Sequence, residues 1–343
     1  MECISRSLPD LNEGEILVRN LYTTLCGSDL HTYSGSRKEP TPTVLGHEIV
    51  GEIVKIGYGH PGHDYNGFPL AAGDRVTWTL FSSNPDSAIA GQGIPQKSGN
   101  LFKYGHALVT DDCAFHGGLA QYCVLKKHTA VIQLSEAIPL PVAATINCAV
   151  ATVSGAVRLA GTLHNRKVLI TGMGLLGMMC AAMCKVKGAS VIHAADISER
   201  RLQQSGAFGV DHTHTISLAA EEKINDRLPG EADIVFDMSG YTETMELGLS
   251  VLKVGGTAIW TGAVFEDGPV RVDPQKVVRN ILTIKGLHNY NYEDFVHAAD
   301  FISRYYELFP FGTLIEKEFE LQDAEAAFRY ALDYKPVRVG IRI

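Results

Sequence analysis

The chain has 343 residues, 45% hydrophobic and 20% charged, which suits two domains with interiors large enough for real cores. Its net charge of −8 and isoelectric point near 5.9 argue against nucleic acid as a general partner. No apolar run is expected to approach the ~20 residues that cross a bilayer, so no membrane partner is expected either.

The start, Met1-Glu2-Cys3-Ile4-Ser5, has neither the basic residues nor the apolar stretch of a signal peptide. Seven cysteines without a disulfide-like spacing fit a reducing compartment, so the expected location is the cytoplasm. Gly14 to Arg19 predicts a turn and a strand, and Leu21 to Leu25 continues it with β-branched residues. Ser28 is the predicted N-cap of a short helix that runs to Tyr33 and ends at Gly35. Further strands are predicted at Ile49–Ile56, Asp74–Leu80 and Leu119–Leu125, a pattern of short strands and irregular loops that implies a compact β-barrel-like domain. The stretch from Phe81 to Asp112 is long and polar, the kind of loop that is functional or separately stabilised.

Within this half, Cys26 opens Cys26-Gly27-Ser28-Asp29-Leu30-His31, and Gly46-His47-Glu48 heads the alternating run that begins at Ile49. Taken singly, Cys26 or Cys148 reads as a small buried hydrophobe. Taken together, the two thiolates, the imidazole of His47 and the neighbouring carboxylate of Glu48 fit a zinc site with an open position, the catalytic type.

The second half alternates strands and helices. Lys167–Thr171 is a predicted strand that runs into Gly172-Met173-Gly174-Leu175-Leu176-Gly177, then a helix over Met178–Lys187 and a strand at Ser190–Ala195 ending in Asp196. Gly172, Gly174, Leu175 and Gly177 form a phosphate-binding fingerprint: the glycines permit a tight turn, close approach to pyrophosphate and close helix–strand packing. Asp196 stands where an acidic residue holds the ribose 2′-hydroxyl and repels a 2′-phosphate, so NAD is favoured over NADP. Arg200 and Arg201 follow closely and could soften that discrimination. Predicted strands at Ala232–Asp237, Gly256–Thr261 and Ile281–Lys285, with a helix at Glu243–Leu252, imply a doubly wound parallel sheet. Ser239 and Gly240, and Gly262, Ala263 and Val264, then fall beyond strand carboxyl ends, bordering the cofactor. Helices around Glu293–Phe301 and Ala324–Leu332 and a strand at Val337–Ile343 close the chain.

These motifs resemble the zinc-dependent medium-chain alcohol dehydrogenases over nearly the whole chain. The resemblance rests on Cys26 to His31, on Gly46 to Gly51, on Cys148 followed by Thr152, and on the Gly172–Gly177 fingerprint with Asp196. It implies an α/β protein: a GroES-like β-barrel catalytic domain (1–146), interrupted by a Rossmann NAD-binding domain (147–286) and completed by a C-terminal segment (287–343). It implies that Cys26, His47 and Cys148 bind one catalytic Zn2+, with Glu48 as an occasional further ligand. By the same likeness Ser28 and His31 relay the proton, Asp29 hydrogen-bonds His47, Thr152 contacts the nicotinamide, and Arg338 contacts the pyrophosphate. Arg201 joins the expected cofactor set. The Cys26–Thr32, Pro95–Lys97, Lys103–His106 and His288–Tyr290 runs look like a subgroup often associated with phosphonate metabolism, which points to a small polar, anionic alcohol or aldehyde.

Two departures from the family stand out. Its structural-zinc lobe normally carries four cysteines; the corresponding places here hold Asn84, Ser87, Ala90 and Ser98, so the second zinc is expected to be absent. The N-terminal hairpin of a typical member is also expected to be missing. The expected chemistry is Lewis-acid activation of a hydroxyl and hydride transfer to NAD. Leu80, Trp78 and His288-Asn289-Tyr290 are candidate pocket residues, and Arg37 and Lys38 could answer an anionic group. Assembly as a homodimer or homotetramer is expected from Rossmann edge strands. Two alternatives stand beside this reading: a zinc-free NADPH reductase of quinones or enones, and a non-catalytic nucleotide-binding protein.

Overall fold

β1 (Ile16–Leu25) is buried along most of its length because it is paired on both sides. It runs antiparallel to β2 (Glu48–Ile56), β5 (Tyr122–Leu125) and β14 (Arg338–Arg342). In this computed structural model, which describes residues 1–216, 231–263, 265 and 267–343, β1 belongs to a curled eight-stranded sheet. Its path adds β13 (Ile315–Glu320) beside β14, then β3 (Arg75–Ser82) beside β2 and β4 (Phe102–Lys103) beside β3, with β6 (Thr129–Gln133) also on β3. Ile16, Val18, Ile49, Ile53, Val76 and Trp78 fill one core of this unit, as alternating strand positions on one face should. The chain divides into this unit, Met1–Ala151 with Tyr290–Ile343, and a second, Thr152–Asn289. The division falls a few residues beyond the expected segment 147–286, which leaves Cys148 with the first unit.

The second unit holds a parallel sheet ordered β12-β11-β10-β7-β8-β9 among the described residues. The strands are β7 (Lys167–Thr171), β8 (Val191–Asp196), β9 (His212–Thr215), β10 (Ala232–Asp237), β11 (Leu252–Trp260) and β12 (Thr283–Gly286). The chain leaves β7 outward to β9 and returns to β10 on the other side of β7. The carboxyl ends of β7 and β10 therefore mark the switch point where such sheets bind ligands. Val264 lies outside the described residues.

Several expectations are corrected. The helix of the Cys26 motif spans Gly27–Tyr33 with Cys26 at its N-cap, so Ser28 lies inside the helix and Asp29 does the capping, its Oδ2 accepting the Cys26 N–H at 2.9 Å. Among the described residues, one stretch is long and apolar enough to span a bilayer by length and composition: Leu140–Ala160, 21 residues, with an 18-residue window of mean hydropathy 1.6 that is 78% buried within the protein. Core helices of folded domains share that composition. The loop after β3 has its own short helix at Ala88–Gly91 and a 3-10 turn at Pro95–Lys97. The Ser87 and Ser98 hydroxyls, at two of the expected cysteine places, lie 2.7 Å apart, and Ser87 Oγ accepts the Ala90 N–H at 3.1 Å. Trp78 and Tyr290, proposed as pocket residues, are fully buried. Tyr290 instead joins elements: its hydroxyl donates to the Asn147 carbonyl and accepts the Leu80 N–H at 2.9 Å.

Candidate active site

The first unit brings Cys26, His47 and Cys148 together, with their ligand atoms all within 4.8 Å of one another. Three local structures deliver them. Cys26 follows β1 at the helix N-cap. His47 precedes β2 after Gly46, whose φ of +87° places it in the left-handed region and whose added Cβ would meet Gly118 Cα at 3.1 Å. A side chain there would push the ligand loop off its neighbour. Cys148 lies in a π-helical turn, Ile146–Val150, just ahead of the helix Ala151–Ala160; such turns recur at functional sites because they turn one residue out of helical register.

Asp29 ties two of these structures to each other. It is fully buried, and its Oδ1 accepts the Gly46 N–H at 3.1 Å and lies 3.1 Å from His47 Nδ1. With Nδ1–H donated to Asp29, the Nε2 lone pair faces the cysteines, as a neutral imidazole ligand requires. Asn147 makes the other tie: its Nδ2 donates to the His47 carbonyl at 2.9 Å and its Oδ1 accepts the Ile49 N–H at 3.3 Å. Cys148 is thereby fixed against the strand that carries His47.

The electrostatics suit a cation. The Cys26 thiol is pushed well down, chiefly by the hydrogen bond from Cys148, with Arg338 and His47 adding to it. A lowered thiol is the form that ligates metal. Burial opposes charge on His47, yet the Asp29 carboxylate and Cys26 raise it well above its ordinary value. Burial pushes the Glu48 carboxyl up to about 7, against the pull of Arg338. Two thiols, one oriented imidazole and a carboxylate beside them fit a zinc ion, which favours sulfur and nitrogen donors.

Glu48 and Arg338 form a pair that the sequence did not reveal. Arg338 Nη2 lies 3.1 Å from Glu48 Oε1 and its Nη1 donates to the Leu25 carbonyl at 3.0 Å; Thr24 Oγ1 also donates to Glu48. Arg338 is thus placed beside the metal cluster, with its buried Nε unpartnered. Ser28 is buried, its Oγ 3.5 Å from His47 Nε2. His31 is half-buried and its Nδ1 lies 3.2 Å from Ser36 Oγ. Ser28 and His31, three residues apart on one helix, share a face. His106 was also missed: its ring centroid is 5.0 Å from that of His47. Burial and the nearby His47 push it down to about 3. Its place in Lys103-Tyr104-Gly105-His106 was visible, but nothing in the sequence tied that run to His47.

In the second unit the fingerprint has the geometry a dinucleotide needs. A Cβ on Gly177 would fall 2.0 Å from the Gly172 carbonyl oxygen, whereas one on Gly174 would meet nothing within 4 Å. Gly177 therefore serves helix–turn packing, and Gly174 leaves an open side for close approach. Leu175 begins the helix Leu175–Val186 and is buried. Asp196 ends β8 and accepts the Met173 N–H at 2.5 Å and the Ser198 N–H at 2.8 Å. Arg200 is exposed and Arg201 half-buried on the helix that follows. Ser239 Oγ donates to Asp237 Oδ1 at 2.8 Å; Asp237 also accepts from Thr171, Thr244 and Gly240. This buried carboxylate organises the strand ends around Ser239 and Gly262. Thr152 is the first residue of this unit.

A doubly wound sheet with this glycine turn, in one chain with a Cys-His-Cys cluster, defines the class of metal-dependent dehydrogenases that use a nicotinamide dinucleotide. Comparison with known proteins agrees. The family described as alcohol dehydrogenase GroES-like domain matches residues 12–136, and that described as zinc-binding dehydrogenase matches residues 176–304. The chain is 29% identical over 290 residues to an L-threonine 3-dehydrogenase of Pectobacterium atrosepticum, covering 82% of this chain and 74% of that one. It is 25% identical to a D-arabitol-phosphate dehydrogenase of Enterococcus avium, covering 99% and 93%. The crystal structure of an alcohol dehydrogenase from Thermotoga maritima superposes with a TM-score of 0.91 at 25% identity, covering 98% of this chain and 94% of that one. The chain belongs to the zinc-binding, medium-chain alcohol dehydrogenase family.

Proposed function

We propose that the protein is a zinc-dependent alcohol dehydrogenase that transfers a hydride between a small polar, anionic alcohol or its carbonyl partner and NAD. The observation that carries this is the convergence of Cys26, His47 and Cys148 within 4.8 Å. A zinc-free reductase of quinones or enones has no use for that donor set. The relatives named for threonine, sorbitol, D-xylulose and D-arabitol phosphate support a polar alcohol. The phosphonate-associated subgroup is the finer placement we favour.

Cys26, His47 and Cys148 would hold one zinc, with Glu48 as an occasional further ligand. Asn84, Ser87, Ala90 and Ser98 offer no thiolate for a second. When bound, zinc supplies Lewis acidity toward the alcohol oxygen and the nicotinamide supplies the hydride acceptor. Asp29 keeps the His47 tautomer, and Asn147 keeps Cys148 in place. Ser28, buried beside His47, accepts the alcohol proton and hands it along its helix face to His31, which is half-exposed and can release it. Gly172, Gly174, Leu175 and Gly177 receive the pyrophosphate. Asp196 holds the adenosine ribose with Arg201 close by; Thr152, Ser239 and Gly262 border the rest of the cofactor. A cytoplasmic homodimer or homotetramer, joined through the edge strand β12, completes the reading.

The test is NAD reduction by zinc-replete and chelator-stripped protein, over a panel of small polyols and their phosphates. Turnover that disappears on stripping and returns with zinc supports the proposal. Turnover indifferent to zinc overturns it.

A further inference from the structure

The Tyr290 hydroxyl joins two backbone segments of the first unit that lie far apart in sequence. It donates to the carbonyl of Asn147, the residue before Cys148, and accepts the Leu80 N–H at 2.9 Å. Tyr290 and Asn147 are fully buried and Leu80 nearly so, which shields both bonds from bulk water. Each backbone group sits at an irregularity. Leu80 falls between Trp78 and Ser82, the interval of β3 where the pairing with β6 shifts register. Asn147 stands in the π-helical turn Ile146–Val150, where the ordinary helical ladder is interrupted.

Tyr290 is itself held in place. Asn291 follows it as the N-cap of the helix Tyr292–Tyr305. The Asn291 Oδ1 accepts the Asp294 N–H at 2.9 Å, and the Asn291 N–H donates to Asp294 Oδ2 at 3.1 Å. The Tyr290 ring packs against Phe81 and Phe295, at centroid distances of 5.8 and 6.2 Å. Asn147 carries the tie onward, since its side chain bonds the His47 carbonyl at 2.9 Å and the Ile49 N–H at 3.3 Å. One residue thus has its main chain fixed by Tyr290 and its side chain fixed by the segment that presents His47. The Cys148 thiol, one residue on, takes its direction from that turn. Phenylalanine at 290 would fill the same space but leave a buried carbonyl and a buried N–H without this partner.

We propose that Tyr290 is a positioning residue for the metal site: its hydroxyl fixes the turn that aims the Cys148 thiol at the point shared with Cys26 and His47. It acts through Asn147, by orienting a donor rather than by adding one, as the outer partners of metal ligands do. The proposal rests on the zinc reading of the three donors for the identity of the ion. The placement of the thiol is a property of the chain alone.

The test is Y290F, which removes one oxygen and keeps the ring. Its zinc affinity, read by competition with a fluorescent chelator, should be about tenfold weaker than that of the wild type. In the metal-free protein, alkylation of Cys148 by iodoacetamide should run about threefold to tenfold faster, measured by peptide mass spectrometry with the exposed Cys3 as internal reference. V168A, at a fully buried position of β7 in the second unit, is the control for lost stability. It should lower the thermal midpoint and leave zinc affinity and Cys148 alkylation at their wild-type values. Wild-type alkylation of Cys148 in Y290F overturns the positioning role, and zinc uptake by the wild type then leaves the dehydrogenase reading standing. If V168A moves both readouts as far as Y290F does, the effect is a general loss of stability and the proposal is overturned. If the wild type takes up no zinc yet Y290F speeds Cys148 alkylation, the dehydrogenase reading fails and the positioning role stands.

Discussion

Arg338 Nη2 lies 3.1 Å from Glu48 Oε1, and both residues are buried. The last strand of the chain therefore pairs a cation with the carboxylate that follows His47. R338M strands that carboxylate without its cation and should cost about 3–5 kcal/mol, as breaking a buried pair does. The double variant E48Q/R338M should recover much of the loss. Urea denaturation of the wild type, E48Q, R338M and the double variant checks this; an additive double variant would contradict a direct pair.

Asp29 accepts from Cys26 and Gly46 and orients His47. D29N keeps the shape but weakens the imidazole as a donor, so zinc affinity should fall by about 10–100-fold. Competition with a fluorescent chelator reads the affinity directly.

Acid stability should report on His116. It is 1% exposed, neither ring nitrogen has a partner, and burial pushes it from 6.5 down to about 4. Its native pKa lies below its unfolded one, so the unfolded chain takes the proton first. Its contribution is intact above pH 6.5 and is lost as pH falls toward 4. H116L removes both the titration and the two orphaned nitrogens. It should flatten this part of the pH–stability curve and leave the protein more stable at pH 5, by about 1–3 kcal/mol. Thermal unfolding at matched pH values provides the measurement.

Cofactor choice should follow the Asp196 charge. D196N keeps an acceptor for Met173 or Ser198 and removes the repulsion toward a 2′-phosphate. The kcat/KM ratio of NADP to NAD should rise about tenfold, measured with any alcohol the protein oxidises. An unchanged ratio would place the discrimination elsewhere.

The parts of the fold legible in the sequence were those with strong local signals. Lys167–Thr171 and Ala232–Asp237 are observed with the predicted bounds, because they are continuous apolar runs at the sheet centre. β9 (His-Thr-His-Thr) and β13 (Ile-Glu-Lys-Glu-Phe-Glu) were missed: edge strands exposed on one side carry polar residues, and their pairing comes from distant neighbours. The strand predicted from Ile281 begins two residues later, at Thr283. Ile281 instead takes a left-handed conformation, φ 52°, at the end of an unpredicted helix, Pro274–Asn280. At the site, the Cys-His-Cys donors could be named because thiol and imidazole chemistry is rare enough to stand out. Asn147, His106 and the Arg338–Glu48 pair could not, since only the folded chain brings residues so far apart in sequence into contact.

Metal content tests the central claim most directly. Zinc per chain, measured by plasma mass spectrometry alongside NAD-linked alcohol oxidation, should be one in the wild-type protein; C148S should lose both the metal and the turnover. A wild-type protein that is active without zinc, or a C148S variant that keeps full activity, would contradict the account.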